Sequence, residues 1–448
     1  MIIYRTVKPG EASMLDFIRN ILPSWTKKPW AWVRQLIAIP LLTLFISSVV
    51  ILRIYNFFMG PDTYFVYLVG DFSNNTNLQK LRPAFEDAQK VNLQIGHVNI
   101  TVRSLDAKEK DAEKISAKLA KKNDTLLVIG HLSTTASANA LPNYLNADPS
   151  IPVILAVETN PELLPADYHL NYYPVFRLSP TDDQQAEKAA EFAVEHGARA
   201  IWVVGDVVVN PIYSRYLAQE FVSQVHERSS QLHEKRQVYE KRQAYENKSS
   251  KVLLWTTNLE HPSADVVVKA LRIDWVFFAG SPANCLILTR QVKEIWRDQP
   301  NKPNILLSNS CASSELLKQG SEDMKEAFLT HPMLASDFNK QGFAYRGTQA
   351  SQLLQQLIRG ADYDFRALSG KNGGMWYYLR LIFGSHSVVD ARNALNAFME
   401  QAVNSEQSFI LEDNRYTFNR DGTVKETPFH VWQVQTVSNE IKFKDVEE

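Results

Sequence analysis

This chain has few cysteines and almost no net charge, and each of these two features excludes a class of protein. Only two cysteines, Cys285 and Cys311, occur in 448 residues, too few for a disulfide-rich scaffold and without metal-ligand spacing around them. The formal net charge is −1, so no global field favours nucleic acid or an acidic surface. Specific binding therefore requires a local site, and a single bridge between the cysteines stays open.

The sequence also lacks the common motifs of catalysis. It contains no GxxxxGK[ST], GxGxxG, HExxH or GxSxG pattern, and hence no phosphate loop, zinc-protease helix or nucleophile elbow at its characteristic spacing. We therefore predict that the protein is not an enzyme and that it holds no metal ion and no cofactor.

One long hydrophobic run lies near the N-terminus. Residues 36–52 are almost wholly apolar, and with Arg53 extending to the interface the run continues to 59, long enough to cross a bilayer. Basic residues outnumber acidic ones over 1–35, which by the positive-inside rule predicts a cytoplasmic N-terminus. A cleavable signal peptide is one alternative, but no small-residue cleavage site follows Met59. A buried helix of a soluble domain is another, and it leaves the flanking charge asymmetry unexplained.

These features predict a single-pass anchor over 36–59 in a bacterial plasma membrane, with the main domain on the extracytoplasmic side.

From Tyr64 onward, short apolar strands alternate with amphipathic helices, which is typical of parallel sheets with crossover helices. A first series has strands at 64–69, 94–102, 125–129 and 152–157; a second has strands at 200–205, 252–256, 275–279 and 305–307. No long linker separates the series, so we predict two Rossmann-like α/β lobes that exchange segments. The predicted bounds are 60–178 plus about 313–405 for lobe 1, and 179–312 plus about 406–448 for lobe 2.

A charged run covers 225–251 and contains a near repeat, EKRQVY followed by EKRQAY. The pattern predicts a solvated extension of a helix. An arm that docks a partner is the alternative.

Hydroxyl side chains follow two predicted strands of lobe 1. Ser133, Thr134 and Thr135 come after the strand 125–129 and run directly into a helix, so they offer hydroxyls, backbone N–H groups and a positive helix end to an anion. Thr159 follows the next strand. Open α/β sheets bind ligands at the carboxyl ends of their strands, which makes these residues candidates for a binding site. Simple N-capping and a turn before Pro161 are the alternatives.

In order and spacing, several segments resemble the type I periplasmic-binding proteins, in particular the substrate-binding components of branched-chain amino acid and amide ABC transporters. The resemblance covers about 62–445 and is carried by the segments Gly130–Thr135 (GHLSTT), Glu158–Leu163 (ETNPEL), Phe176–Leu178, Phe277–Gly280 and Phe418–Gly422. It implies two lobes joined by a multi-strand hinge, with a ligand bound in the cleft between them.

The same resemblance implies roles for individual residues. Ser133, Thr134 and Thr159, with the backbone of Val157, are expected to hold a ligand carboxylate on lobe 1. From lobe 2, Tyr213 and Phe278 are expected to close over the ligand.

Amino-acid binders of this family place an acid of lobe 2 against the ligand's ammonium group. The matching stretch here, 307–311, contains Ser310 and no acid. An unpaired buried ammonium is costly, so either Glu158 or Asp206 substitutes, or the ligand is not a standard α-amino acid.

The function that the resemblance implies is that of a tethered receptor that closes on a small carboxylate-bearing or amide ligand and delivers it to an ABC permease. The alternative is an envelope regulatory or scaffold protein that uses the same fold to contact a membrane partner. Neither function involves nucleic acid.

Overall fold

The computed structural model describes most of the chain after the N-terminal region. The described residues are 63–73, 76–86, 92–95, 98–164, 174–206, 211–240, 253–258, 272–342, 344–371, 388–412, 414–425, 428–437 and 440–446. Within these ranges, no helix is both long and apolar enough to span a bilayer. The predicted cytoplasmic segment 1–35 and the predicted span 36–59 lie outside them.

The first sheet has six strands in the order β2-β3-β1-β4-β5-β6. The strands are β1 Thr63–Gly70, β2 Leu93–Ile95, β3 Val98–Asp106, β4 Thr125–Gly130, β5 Val153–Leu155 and β6 Val175–Arg177. All pairings are parallel except β2 with β3, an antiparallel pair where the sequence pattern predicted one strand over 94–102. Every residue of β4 is buried, as expected for a strand covered on both faces.

The second sheet has seven strands in the order β15-β14-β11-β10-β9-β7-β8. The strands are β7 Ala200–Gly205, β8 Leu253–Asn258, β9 Trp275–Ala279, β10 Asn304–Leu307, β11 Phe328–His331, β14 His430–Val437 and β15 Glu440–Asp445. The five strands from β8 to β11 pair in parallel, and β14 and β15 add an antiparallel edge. A two-stranded sheet, β12 Phe409–Leu411 with β13 Asn414–Tyr416, stands apart.

Ten α-helices in the described part connect and cover these sheets. They are α1 Thr76–Glu86, α2 Ala112–Ala120, α3 Thr134–Leu145, α4 Asp182–Glu195, α5 Pro211–Glu240, α6 Pro282–Ile295, α7 Ser314–Met324, α8 Ala335–Gln341, α9 Ala344–Lys371 and α10 Val388–Asn404. α5 extends into the predicted charged run and includes the first copy of its repeat. The architecture is a mixed α/β fold with two sheets that are mostly parallel.

Two segments pack in a different lobe from the one that the sequence predicted. α7, β11 and α8 contribute Met324, Leu329 and Phe338 to the core of the second sheet, although the sequence placed them in lobe 1. β12 and β13 place Phe409 and Tyr416 in the core of the first sheet, although the sequence placed them in lobe 2. An apolar stripe shows that a helix or strand covers a core without showing which of two sheets it covers, so these boundaries could not be read from periodicity.

The chain passes from one lobe to the other at three places: between β6 and α4, between α8 and α9, and between Val424 and β14. The segments that lead into the first and third crossings are paired, because the Arg177 N–H donates to the Gly422 carbonyl at 2.7 Å and the Val424 N–H donates to the Arg177 carbonyl at 3.3 Å. α9 and α10 then pack their buried faces on the first sheet. The lobes therefore exchange segments at a hinge of several chains.

Cys285 of α6 and Cys311, which follows β10, form a disulfide, so the structure resolves the pairing that the sequence left open. Their Cα atoms are 5.8 Å apart, and both residues are fully buried. The bond ties α6 to the carboxyl end of the second sheet.

Replacing both cysteines, in Cys285→Ala/Cys311→Ala, is expected to lower the free energy of unfolding by about 3 kcal/mol. The reason is that the bond links residues separated by 26 positions and so restricts the unfolded chain. Urea denaturation of the variant and the wild type measures the difference. Wild type treated with dithiothreitol serves as the control, and an unchanged urea midpoint after complete reduction contradicts the prediction.

Candidate functional site

The carboxyl ends of both sheets meet at a cleft. A cavity of about 200 Å³ lies between β4, β5 and β6 of the first sheet and β9, β10 and β11 of the second. Its lining residues are Leu78, Leu132, Ser133, Thr134, Val157, Glu158, Thr159, Ser179, Tyr213, Pro282, Asn309, Ser310, His331, Pro332, Met333, Phe338, Gly342 and Arg346. Strand ends of this kind are where open α/β sheets bind their ligands.

The hydroxyl turn after β4 lies partly in this cleft. Ser133 and Thr134 line the cavity, whereas Thr135 does not. The Ser133 Oγ accepts a hydrogen bond from the Ala136 N–H at 3.2 Å, so this residue caps α3, as one of the sequence alternatives proposed. Thr134 is the first residue of α3 and is buried. The turn therefore presents one hydroxyl that does not serve as the helix cap.

Glu158 is the central acidic group of lobe 1. Its side chain is buried. Its Oε1 accepts from the Leu132 N–H at 2.8 Å and from the Ser137 Oγ at 2.7 Å, and its Oε2 accepts from the Val157 N–H at 3.0 Å. Burial raises the pKa of Glu158, and these hydrogen bonds oppose that rise. Glu158 thus accepts hydrogen bonds from three protein donors around the turn.

Lobe 2 contributes Tyr213 and Ser310, and both line the cavity. The Tyr213 hydroxyl donates to the Asn309 Oδ1 at 2.8 Å, and the Ser310 Oγ lies 2.9 Å from the Ser308 Oγ. Burial raises the pKa of Tyr213, so its hydroxyl stays protonated at neutral pH. This wall of the cleft is neutral.

Two other predicted residues of lobe 2 have structural positions. Phe278 does not line the cavity; it is a residue of β9 and is fully buried in the core of the second sheet. The carboxylate of Asp206 accepts from Ser281, at its N–H and its Oγ, and from the Asn284 Nδ2 at 2.9 Å, so it holds the first turn of α6. Asp206 is also absent from the cavity lining.

A third wall of the cleft had no place in the sequence prediction. It follows β11 and includes His331, Met333, Phe338 and Arg346. The ring of His331 packs against that of Trp432 at a tilt of 30°, with ring centroids 4.0 Å apart. Burial and the nearby charge of Arg346 hold the pKa of His331 well below its usual range. At neutral pH this histidine is uncharged.

Arg346 is the cation of the cleft. It is 5% exposed, and its Nη1 donates to the Leu178 carbonyl at 3.0 Å and to the Gln349 Oε1 at 2.7 Å. Its Nη2 is buried and has no hydrogen-bond partner among the described residues. Burial lowers the pKa of Arg346 from its usual value. In the sequence, Arg346 is the one charged residue over 341–358, and a lone charge in such a stretch is the signal that could have identified it.

Asp182 and Arg177 lie buried beside the cleft without lining it. Burial raises the pKa of Asp182 to about 7, while the Thr159 hydroxyl and the charge of Arg177 act in the opposite direction. Neither carboxylate oxygen has a hydrogen bond of good geometry among the described residues. Asp182 begins α4 at the first crossing between the lobes, so this charge belongs to the hinge.

No protein-family model matches the sequence, and no curated protein matches it. Solved structures do match. The two-lobed arrangement of parallel-rich sheets is the type I periplasmic-binding fold, as in a leucine-binding protein LivK from Thermotoga maritima, with a TM-score of 0.62 and 16% identity over 85% of this chain and 97% of that one.

Two further neighbours show the range of ligands on this fold. A solute-binding protein of an ABC transporter from R. palustris, in complex with benzoate, has a TM-score of 0.58 and 13% identity over 85% of this chain and 95% of that one. The transporter substrate-binding protein LivJ from Streptococcus pneumoniae, in complex with isoleucine, has a TM-score of 0.57 and 14% identity over 86% and 99%. These neighbours are solute-binding proteins rather than enzymes.

Proposed function

We propose that this protein is an extracytoplasmic solute-binding receptor, which takes up a small ligand between its lobes and delivers it to an ABC transporter. The observation that supports this most directly is the cavity at the carboxyl ends of both sheets, lined by Thr134 and Thr159 from one lobe and by Tyr213 and Ser310 from the other. The neighbours of known structure bind amino acids or benzoates on the same fold.

The mechanism is closure about the hinge. A ligand that contacts residues of both lobes stabilises the closed arrangement by its differential affinity for that state. Three chain crossings allow the lobes to rotate without separating, and the closed surface is what a permease recognises. The chemistry is binding, without a covalent step.

We also propose that the receptor is tethered. The hydrophobic run 36–59 is long enough to cross a bilayer, and the basic residues before it orient the rest outward. The disulfide between Cys285 and Cys311 fits an oxidising compartment. A tether keeps the receptor at high local concentration beside its transporter.

A ligand screen tests the function. The full-length chain in detergent is heated with amino acids, amides, urea-like compounds and short carboxylates, and tryptophan fluorescence follows unfolding. We expect one class to raise the melting temperature, because ligand binds the folded state alone. Thr134→Val removes the hydroxyl in the cleft and is expected to weaken that ligand about tenfold while the melting temperature without ligand stays nearly unchanged.

The matched control is Thr289→Val. Thr289 is a fully buried threonine of α6, whose Oγ1 donates to the Leu286 carbonyl at 3.0 Å, and it does not line the cavity. This variant is expected to change the melting temperature without ligand and to leave the ligand-induced shift intact. No shift with any compound, including after refolding to remove carried-over ligand, contradicts the receptor.

That negative outcome is the one expected of the alternative, an envelope scaffold that contacts a membrane partner without a small ligand. One observation favours this alternative: Glu158 already accepts from the Leu132 and Val157 N–H groups of lobe 1. The screen therefore separates the two functions.

A further inference from the structure

We propose that the cleft binds a small organic carboxylate that carries no ammonium group, and that Arg346, rather than the turn around Ser133 and Thr134, pairs with its carboxylate. This inference rests on the proposed receptor function and names its ligand class. Four features of the cleft support it.

First, Glu158 already accepts the hydrogen bonds of two backbone donors at this end of lobe 1. The Leu132 and Val157 N–H groups both donate to the carboxylate of Glu158, at 2.8 Å and 3.0 Å, and the Ser137 hydroxyl donates to it as well. Each backbone N–H has a single hydrogen, so a ligand carboxylate reaches these two groups only by displacing Glu158. The backbone N–H of Val157, which the resemblance assigns to a ligand carboxylate, therefore already has an acceptor within the protein.

Second, the unbalanced charge of the cavity wall is positive. Glu158 and Arg346 are the acid and the cation among the lining residues, and His331 is held neutral. Glu158 is satisfied by three protein donors, whereas the Nη2 of Arg346 has no partner among the described residues. A buried guanidinium nitrogen without an acceptor is costly, and a carboxylate is its best geometric match.

Third, no acid of the described cavity wall is free to receive an ammonium group. The two candidates from the sequence both serve the protein: Glu158 holds the turn, and Asp206 holds the start of α6. Asp182 is buried outside the lining. An ammonium group bound here loses its hydration without gaining a carboxylate, which opposes binding of α-amino acids.

Fourth, most of the remaining wall is apolar. It is formed by Leu78, Leu132, Val157, Pro282, Pro332, Met333 and Phe338. A wall of this kind suits an aliphatic or aromatic body, and the cavity of about 200 Å³ suits a small one. The ligand class is thus a monocarboxylate with an apolar body.

Leucine and two analogues that each lack one of its charged groups test the inference by isothermal titration on the full-length chain in detergent. 4-Methylpentanoate is leucine without its ammonium group, and 3-methylbutylamine is leucine without its carboxylate. We expect 4-methylpentanoate to bind at least tenfold more tightly than leucine, and 3-methylbutylamine not to bind. This comparison uses the wild type alone and does not depend on the folding of any variant.

Variants then test the residue. Arg346→Gln is expected to weaken 4-methylpentanoate on the order of 100-fold, as loss of a buried charge partner does, and Arg346→Lys is expected to restore part of the affinity. The matched control is Arg392→Lys. Arg392 is another buried arginine, 3% exposed, whose Nε donates to the Thr125 carbonyl at 2.7 Å, and it does not line the cavity. This control is expected to lower stability and to leave the affinity unchanged.

The outcomes distinguish this inference from the function on which it rests. If leucine binds as tightly as 4-methylpentanoate, or if Arg346→Gln binds it normally, the receptor function stands and the inference is wrong. The inference is also wrong, and the receptor function stands, if leucine and its two analogues all fail to bind and the broader screen finds a ligand that is not an anion. If nothing in either panel binds, both proposals fail.

Discussion

Gly422→Ala is expected to lower the free energy of unfolding by about 4 kcal/mol. Gly422 has a φ of 73°, in the left-handed region that favours glycine. A Cβ at this position lies 1.7 Å from the Val175 carbonyl oxygen and 2.8 Å from its carbon, and both of these are backbone atoms of β6. Relief of that clash moves one hinge chain away from the other and breaks the bond between the Arg177 N–H and the Gly422 carbonyl.

The chain provides a control for this variant. Gly197 has a φ of 82°, but a Cβ there has no heavy atom within 4 Å. Gly197→Ala therefore isolates the backbone strain and is expected to cost about 1 kcal/mol. Urea denaturation of both variants gives the two values. If both variants lose the same free energy of unfolding, the clash of a Cβ at Gly422 with β6 contributes nothing to the loss.

The strands of the fold were predictable because buried parallel strands are continuous apolar runs. β4 and β9 are fully buried, and the sequence predicted both to within one residue. The position of the cleft followed from the rule that places ligands at the carboxyl ends of such strands. Of the eight predicted site residues, six line the cavity, and Thr135 and Phe278 do not.

The lobe boundaries and the charges of the cleft were not predictable in this way. Which sheet α7 or β12 covers depends on contacts with other segments of the chain, such as Asp323 with Arg290 and Phe409 with Phe176, and periodicity does not encode them. Glu158 reaches donors at 132 and 137, and Arg346 reaches a carbonyl at 178. Such pairings between distant segments leave only a weak trace in sequence, namely a charged residue within an otherwise uncharged stretch.

The second large effect on stability comes from Asp182, whose carboxyl group is buried at the hinge. We expect Asp182→Asn to be more stable than wild type at pH 8, by up to about 4 kcal/mol, and to match it near pH 4. Burial raises the folded-state pKa of Asp182 from 3.8 to about 7, so the folded state holds a proton that the unfolded state releases between these values. The stability of the wild type therefore falls as the pH rises through this window, and asparagine mimics the protonated form throughout.

Urea denaturation of both proteins from pH 4 to pH 8 measures the difference, and Asp106→Asn gives a control of opposite sign. Asp106 is exposed, and hydrogen bonds from Ser73 and from the Phe72 N–H lower its pKa. Its contribution to stability is present above the unfolded-state pKa and is lost as the pH falls, so this variant is expected to lose most at pH 8. A pH-independent difference for Asp182→Asn means that the carboxylate is ionised in the folded state at pH 5, and that water or a closer approach of Arg177 compensates its charge at the hinge.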